Sequence, residues 1–565
     1  IRTSNANGFA NASSSGSVQT TTRTYNSAAT YVFNGTTNQS TGDFFLGTTT
    51  PNNVSTIEIA NTGTSPNNIV TLLVSGPTAT TLRLTAGLFS SGAGNVLNIG
   101  TNGFVTNNGG NIDSSSIGGT ISFVGAGTVN GTTATTFRNV NINAGAVNIP
   151  IGATIPLVAG SLQINGGNLT NPPKYGSAST LIYNTSYDRY VEWNYVGIGT
   201  IATSAGYPNN VTIADGTFDV YNNATGEARA CNGTLTINND AILNCNNMNS
   251  TLTVGDNLVI AIDGSFNMNT MSAALIVNDN ISFGGTLSLS TDFNGSLYLG
   301  GNWTRNSTGT FIPNSRAVFF IGSADQTITL TGGGIESFPY FCIDKQNAGT
   351  YVMPDNSIGN QTDLNISGTS GNVLQLLNEG GLDLNGRSCT IVSNNIVSIQ
   401  VTGGERNIIS SIDTGLFIIA GAAFPPTPFV NSSDITSTLV FDSGVRIELN
   451  GGFNFSEKIS TVNGTLRINS GAYVTGFAPL YGMGSRLQYY TNGVFNRTIE
   501  WGEAADQGYP YNVQIRKNST LSPGGSSNTG IVLNLANDLT IDAGSELTMN
   551  YAGNNMMVPL IVGND

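Results

Sequence analysis

The residues best suited to chemistry lie in a short unit that occurs twice. The pattern Arg-x-[Val/Ile]-Glu-Trp ends at Trp193 and again at Trp501. Glu192 and Glu500 are candidate carboxylate catalysts, with the neighbouring indoles as platforms for a sugar ring. Each copy contains only one such Glu, whereas glycoside hydrolysis normally uses two opposed carboxylates. We therefore favour a structural corner, in which Arg189 pairs with the Glu and the indole packs on the next coil.

Aromatic side chains around the two units are candidate contacts for a glycan or for another surface. The candidates are Tyr190, Trp193, Tyr207, Trp501 and Tyr509. Exposed aromatic rings could stack on sugar rings, but the same residues could instead cap an apolar core at a corner. The sequence leaves both alternatives open.

The composition argues against a catalytic centre. The chain of 565 residues has no His, which removes the commonest general base and metal ligand. Only 9% of residues are charged, the net charge is −14, and no basic stripe suited to nucleic acid is present. We expect no catalytic residue, metal, cofactor or nucleic-acid partner. Clusters such as Asn278-Asp279-Asn280 could offer oxygen ligands to calcium, but a turn is favoured because the regular Gly-Gly-x-Gly-x-Asp repeat is absent.

The cysteines are four in number, and none forms a CxxC pair. Cys231 and Cys245 are close enough in sequence to form a disulfide between neighbouring turns of the chain. The alternative is that they are small buried thiols, since Cys is among the most buried residue types.

Short bursts of alternating apolar and polar residues run from end to end of the chain. Leu235-Thr236-Ile237 is typical, and the alternation places one face of a strand in a core and the other in water. Asn-Gly pairs separate the bursts, as at Asn232-Gly233 and Asn463-Gly464. Because Gly and Asn tolerate positive φ, each pair indicates either a hairpin or the corner of a coil.

A long internal repeat organises the chain. The unit that ends at Trp193 returns at Trp501, an offset of 308 (501 minus 193), and Leu162-Gln163-Ile164 returns as Leu466-Arg467-Ile468, an offset of 304 (466 minus 162). Loops of different length in the two copies would produce the unequal offsets. We divide the chain into a first long repeat of β-strand coils, 1-310, and a second, truncated repeat, 311-565. Because both ends fall inside the pattern, we expect a piece of a longer protein.

The fold class predicted from these patterns is all-β, as an elongated parallel β-solenoid of stacked coils. Coils that cannot bury their apolar face alone must stack to form a core. The alternative is a series of tandem antiparallel β-sandwich domains, but the strands follow one another without linker-like breaks, and the Cys…Trp…Cys pattern of immunoglobulin domains is missing. No stretch approaches the ~18 consecutive apolar residues of a membrane helix, so we expect no membrane insertion.

The order of motifs resembles the β-strand-repeat giant surface proteins of Bacteroidota. The resemblance rests on Glu192-Trp193 followed by Ala205-Gly206-Tyr207-Pro208, and on Gly300-Gly301-Asn302-Trp303 followed by Ala317-Val318-Phe319, and it covers most of the chain. It implies a secreted protein displayed on the cell surface as cargo of type IX secretion, in a group that includes gliding-motility adhesins. It implies no catalytic residues, and the C-terminal sorting domain expected of such cargo is not visible.

Taken together, these patterns favour a structural or adhesive segment of a large cell-surface or extracellular fibre protein. Surface glycans or a substratum are the expected partners, together with self-assembly into fibres. A glycan-binding β-helix module is the first alternative function. A polysaccharide-active β-helix enzyme is the second, and it would need a dense cleft of acids and bases.

Overall fold

A computed structural model describes residues 1–9, 15–20, 23–43, 53–112, 119–194, 200–201, 203–220, 228–345, 347, 349–378, 380–393, 396–403, 407–421, 428–432, 434, 436–502, 506–523, 532–551, 554–556, 558 to 564. Strand pairings among these residues are parallel, except that of Asn550–Tyr551 with Asn554–Asn555. The chain is a parallel β-solenoid, in which each coil adds one strand to each of several sheets. The predicted fold class is confirmed, and the antiparallel sandwich alternative is wrong.

The chain divides into two compact units. Unit 1 contains residues 1–274 and 285–288, and unit 2 contains residues 275–284 and 289–565. The boundaries predicted from the long repeat, 1-310 and 311-565, remain a prediction about the sequence.

Unit 1 is built on one long parallel sheet with shorter sheets beside it. The long sheet contains Arg2–Thr3, Thr30–Phe33, Asn53–Ala60, Thr78–Ala86, Val96–Asn107, Thr120–Phe123, Gly127–Gly131, Thr136–Ile142, Ala146–Asn148, Leu157–Ile164, Asn168–Leu169, Lys174–Tyr175, Thr180–Asn184, Asn210–Asp215, Leu235–Ile237 and Leu258–Ile260. The shorter sheets contain Gln39–Ser40, Ile69–Thr71, Leu88–Ser90 and Asn111–Ile112; then Tyr187–Asp188, Thr217–Asp219, Ile242–Asn244, Ser265–Asn267 and Thr286–Ser288; and Arg229–Cys231 with Leu252–Val254. Two short 3₁₀ helices, Gly152–Thr154 and Val191–Trp193, interrupt the coils.

Unit 2 has three main parallel sheets. Sheet 1 contains Ile281–Phe283, Trp303–Arg305, Gln326–Leu330, Tyr351–Pro354, Gly381–Asp383, Asn407–Ser410, Leu439–Phe441, Ser460–Val462 and Leu480–Tyr481. Sheet 2 contains Leu275–Val277, Leu297–Leu299, Ala317–Phe320, Tyr340–Asp344, Gly371–Leu377, Val397–Val401 and Phe429–Ser432. Sheet 3 contains Gly334–Phe338, Thr362–Ile366, Ser388–Ser393, Gly415–Gly421, Val445–Leu449, Thr465–Asn469, Arg486–Tyr490, Asn512–Ile515 and Leu539–Ile541. The remaining strands are Thr310–Ile312, Gly452–Phe453, Tyr473–Val474, Val494–Asn496, Thr520–Ser522, Leu533–Leu535, Glu546–Leu547, Asn550–Tyr551, Asn554–Asn555 and Leu560–Val562.

The core of each unit consists of apolar ladders, in which the same inward position recurs from coil to coil. In unit 1 one ladder runs through Leu162, Leu181, Val211, Leu235 and Leu258, all buried and in parallel register. In sheet 3 of unit 2 a similar ladder is formed by Leu364, Cys389, Phe417, Ile447, Leu466, Leu487 and Val513. Each fully buried Leu, Ile, Val or Phe contributes roughly 1.5–3 kcal/mol. The alternation seen in the sequence therefore produces the stacked core.

Asparagine side chains form a second kind of ladder, which joins neighbouring coils through hydrogen bonds. In unit 1, Asn184 Nδ2 donates to Asn165 Oδ1 at 3.1 Å, and Asn165 Nδ2 donates to Asn143 Oδ1 at 2.7 Å. The next bond runs from Asn143 Nδ2 to Ser122 Oγ at 2.8 Å. These side chains lie at the coil surface, where Asn143 and Asn165 are half-buried and Asn184 is exposed. Side-chain amides at such positions satisfy each other without leaving the coil surface.

A glutamine side chain that bonds both to a nearby main-chain N–H and to a carbonyl of the preceding coil occurs in each unit. Gln39 accepts a hydrogen bond from the Gly35 N–H at 2.8 Å and donates to a carbonyl of the preceding coil. Gln326 accepts from the Gly322 N–H at 3.0 Å and donates to the Leu299 carbonyl at 3.0 Å. Gln39 in unit 1 and Gln326 in unit 2 therefore make equivalent local hydrogen bonds.

Within the part of the chain that the structure describes, no helix is both long and apolar enough to cross a membrane.

Candidate functional site

The two Arg-x-[Val/Ile]-Glu-Trp units form equivalent buried corners, the first in unit 1 and the second in unit 2. In the first corner, Glu192 Oε1 accepts hydrogen bonds from the Tyr183 hydroxyl at 2.8 Å and the Tyr190 N–H at 2.9 Å. The main-chain carbonyl of Glu192 accepts a third bond from the Tyr175 hydroxyl at 2.8 Å. Two tyrosines from preceding strands therefore hold Glu192, Tyr183 at the carboxylate and Tyr175 at the main-chain carbonyl.

The second corner repeats this network around Glu500. Its Oε1 accepts from the Tyr489 hydroxyl at 2.9 Å and from the Thr498 N–H at 3.1 Å. Its main-chain carbonyl accepts from the Tyr481 hydroxyl at 3.0 Å. The Thr498 hydroxyl adds a contact to Glu500 Oε2 that the first corner lacks, because Tyr190 stands at that position.

The arginine of each unit joins its corner to the following coil. Arg189 Nε donates to the Val220 carbonyl at 2.7 Å, while its Nη1 donates to the Trp193 carbonyl at 2.9 Å. Arg497 makes the corresponding bonds to Pro523 at 2.8 Å and to Trp501 at 2.5 Å. A guanidinium presents several donors in a fixed plane, which suits two carbonyls at once.

Burial controls the electrostatics of the first corner. Removal from water raises the pKa of the Glu192 carboxyl, while hydrogen bonds and the charge of Arg189 act in the opposite direction. Burial and the adjacent Glu192 hold the pKa of Tyr183 well above its usual range. Both Glu192 and Glu500 are completely buried, so neither carboxylate can reach a substrate in this structure. These buried positions fit the structural corner expected from the sequence, although the hydrogen bonds described for Arg189 go to main-chain carbonyls and not to the Glu192 carboxylate.

The predicted contact residues divide by exposure. Trp193 and Trp501 are 0% exposed, and their indole N–H groups donate to the Ala230 and Asn534 carbonyls, each at 2.8 Å. For these two residues the expectation of contact with a glycan is wrong, because their rings pack inside the coils.

The three tyrosines remain accessible to different degrees. Tyr190 is 43% exposed, and Tyr207 and Tyr509 are half-buried. Tyr190 and Tyr207 lie in unit 1, whereas Tyr509 lies in unit 2. Their role as contact residues remains a prediction.

The disulfide predicted between Cys231 and Cys245 is not formed. Both residues are buried free thiols. Cys231 ends the strand Arg229–Cys231, while Cys245 follows Ile242–Asn244, which belongs to a different sheet. Burial raises the pKa of the Cys231 thiol to about 12. The alternative of small buried thiols therefore describes these residues.

A groove on the outer face of sheet 2 was not predicted from the sequence. Tyr298 and Phe319 occupy the same outward position in successive strands, with ring centroids 4.5 Å apart and planes within 5° of parallel. Tyr340, on the next strand, and Phe293, at the rim, also line this space of about 550 Å³. The volume lies in the range of small-molecule sites, roughly 300–1,000 Å³. We call this feature the aromatic groove.

The signal for the aromatic groove was present in the sequence but could not be interpreted. Leu297-Tyr298-Leu299 and Val318-Phe319-Phe320 each alternate, which places Tyr298 and Phe319 outward. Only the length of the intervening coil determines whether these two rings stand next to each other. Coil length varies along the chain, and no sequence motif marks the register.

Among the described residues, no group of three or more His, Cys, Asp or Glu side chains is placed to hold a metal ion. In the cluster Asn278-Asp279-Asn280, which the sequence offered as a calcium site, the Asn280 Oδ1 accepts a hydrogen bond from the Asn302 N–H at 2.8 Å. Comparison with protein-family models, curated proteins and solved structures finds no match to this chain.

Proposed function

We propose that this chain is a structural and adhesive segment of a large bacterial cell-surface or extracellular fibre protein, without a catalytic role. The observation that supports it most directly is the burial of Glu192 and Glu500. The carboxylates of the most conspicuous repeated motif bond to tyrosines inside the coils and not to groups at a surface cleft. A repeated motif whose side chains stabilise the packing between coils is typical of a repeat protein that serves as an extended scaffold.

The pattern of the outer faces supports the same proposal. Asn ladders join coil to coil, and only 9% of the residues are charged, so much of the exterior is built from uncharged hydrogen-bonding groups. The resemblance to β-strand-repeat surface proteins of Bacteroidota adds the proposed context of type IX secretion and gliding adhesion.

The location and the adhesive role can be tested together. Antibodies raised against the purified chain should label intact cells that express the parent protein, and protease treatment of those cells should remove the signal. Beads coated with the chain should be retained under flow on polysaccharide surfaces more strongly than beads coated with albumin. Labelling that appears only after lysis, or retention equal to the albumin control, would contradict the proposal.

The non-catalytic part of the proposal has a separate test. The purified chain should release no reducing sugar from a panel of plant, algal and bacterial polysaccharides. Release that persists in Glu192→Gln and Glu500→Gln variants would identify an enzyme whose catalytic residues lie elsewhere in the chain.

A glycan-binding module is the second candidate function, and the aromatic groove is the observation that favours it. The groove would supply an exposed contact that an adhesive segment needs. It does not compete with the structural role, because its side chains lie outside the apolar ladders.

A further inference from the structure

Two flat rings on successive coils, Tyr298 and Phe319, form the floor of the aromatic groove, and they stack face to face so that each covers one face of the other. Tyr298 pairs in parallel register with Phe319, and Ala317 pairs with Tyr340 on the next strand. Because paired strands lie about 4.8 Å apart, the two outward rings stack at a spacing that the backbone itself imposes. The stack of Tyr298 on Phe319 is therefore present before any ligand binds.

The rim of the groove contains an apolar ring that the protein leaves in water. The side chain of Phe293 is 85% exposed, and the Arg316 guanidinium lies 5.6 Å from its ring centroid. A cation–π contact of this kind stabilises the position of an exposed ring. Large exposed apolar groups next to a concavity are typical of a binding surface.

Polar groups at the groove have hydrogen-bonding capacity that this protein does not use. The hydroxyls of Tyr298 and Tyr340, the side-chain amide of Asn294 and the terminal nitrogens of Arg316 have no partner among the described residues. The neighbouring Asn372 differs, because its amide donates to Gln400 at 2.7 Å and accepts from Ser398 at 2.5 Å. The unused donors and acceptors therefore surround the aromatic floor.

The charge of the side chains that line the aromatic groove restricts the class of ligand that it can bind. The side chains that line the groove include one cation, Arg316, and no carboxylate, although the chain as a whole has a net charge of −14. A cationic ligand would find no carboxylate here and would be repelled by Arg316, and a strongly anionic one would meet a single positive charge in an acidic protein. Flat apolar faces combined with uncharged hydrogen-bonding groups match the two kinds of surface on a sugar ring.

We propose that the aromatic groove binds a short uncharged saccharide. Its ring faces would lie against Phe319 and Phe293, and its hydroxyls would bond to the phenols, to Asn294 and to Arg316. The inference rests on the proposed adhesive function and names the class of partner for it.

The experiment measures binding of neutral tetrasaccharides to the purified full chain by calorimetry. Malto-, cello-, xylo-, laminari- and manno-tetraose form the neutral panel, and tetragalacturonate is the charged comparison. At least one neutral member should bind, and Phe319→Ala should weaken it at least tenfold. Phe319→Leu, which keeps apolar bulk without a flat ring, should weaken it nearly as much. Tyr298→Phe, which removes only a hydroxyl, should produce a smaller loss.

Tyr490→Ala is the matched control, because this aromatic residue lies on the outer side of sheet 3, where its ring contacts Arg467 and Lys517. It should bind as wild type does, and circular dichroism should confirm that every variant retains its strand content. Binding that survives Phe319→Leu, or tetragalacturonate binding more tightly than every neutral sugar, would overturn the inference. Self-association lost in Phe293→Ala, without saccharide binding, would overturn it too and assign the groove to a second copy. If no sugar binds while coated beads still adhere under flow, the groove inference fails and the proposed function stands.

Discussion

Replacing Tyr489 by Phe removes one hydroxyl from the centre of the second corner and leaves the rest of the side chain in place. Tyr489 is completely buried, and its hydroxyl donates to Glu500 Oε1 at 2.9 Å. Its ring contacts Phe495 at a centroid distance of 5.5 Å, a contact that the Phe variant would keep. The change therefore isolates a hydrogen bond from the apolar packing around it.

The expected cost follows from what remains around Glu500. A buried acceptor that loses its partner costs about 1–3 kcal/mol. Because the Thr498 N–H still donates to Glu500 Oε1 at 3.1 Å, we expect the lower part of this range. A loss of about 1–2 kcal/mol is a factor of roughly 5–30 in the local opening equilibrium.

Native-state hydrogen exchange is the appropriate assay, since a long array of coils need not unfold as a single two-state unit. Amides of the strands Arg486–Tyr490 and Asn512–Ile515 should lose protection in Tyr489→Phe. Tyr490→Phe is the control, because it makes the same chemical change one residue along the strand, where the ring is half-buried beside Lys517 at 4.4 Å. Equal protection in the two variants would show that the Tyr–Glu bond does not stabilise the corner.

Three further predictions concern the first corner, the Asn ladder and the thiols. The pKa of the Glu192 carboxyl is raised in the folded state, so this group binds a proton more tightly in the folded than in the unfolded protein. The free energy of unfolding should therefore fall as pH rises above about 4. Urea titrations at several pH values should show this slope in the wild type and a flatter slope in Glu192→Gln. Asn165→Ala, which removes the bonds to Asn143, Asn184 and Gln163, should destabilise the surrounding coils by about 1–2 kcal/mol in hydrogen exchange. Gln163→Ala, which removes only the last of these bonds and leaves the contacts between coils, should cost less. Burial raises the pKa of the Cys231 and Cys389 thiols to about 12, and all four cysteines are buried. A thiol reagent near neutral pH should therefore label none of the four in native protein and all four in guanidinium. Rapid labelling of native protein would refute the buried positions.

The fold could be predicted because a strand of a solenoid reports its two faces directly in the sequence. Thr465–Asn469 has Leu466 and Ile468 inside and Arg467 outside, as its alternation requires. The equivalence of Glu192 and Glu500 could be predicted for a similar reason, since the two copies keep the same residue types at the same spacing. The Asn-Gly pairs did not distinguish a hairpin from a coil corner, and the positive φ that they tolerate is adopted neither at Asn232-Gly233 nor at Asn463-Gly464.

The exposure of residues outside the strands could not be predicted, because no alternating pattern assigns their side chains to the core or to water there. Trp193 and Tyr190 are three positions apart, yet the indole is buried and the phenol is 43% exposed. A 3₁₀ turn over Val191–Trp193 breaks the alternation at this point, so the rule that applies to strands no longer assigns the faces. To predict the aromatic groove, one would have to know the register between two successive coils, which decides whether Tyr298 and Phe319 are neighbours.

The apolar ladders explain why coils stack but do not by themselves fix how they stack. A slip of one residue would turn Leu and Ile outward, yet a slip of two would return apolar side chains to the core at little cost. The corners restrict this freedom, because Arg189 Nε bonds to the Val220 carbonyl and the Trp193 indole N–H bonds to the Ala230 carbonyl, both on the following coil. The bonds from Tyr183 and Tyr175 to Glu192 lie within one coil and fix the corner itself. A displaced coil would leave these buried donors without their partners, at a cost of about 1–3 kcal/mol for each group. The same bonds recur at Arg497 and Trp501, so each unit contains a polar contact between coils that favours a single register.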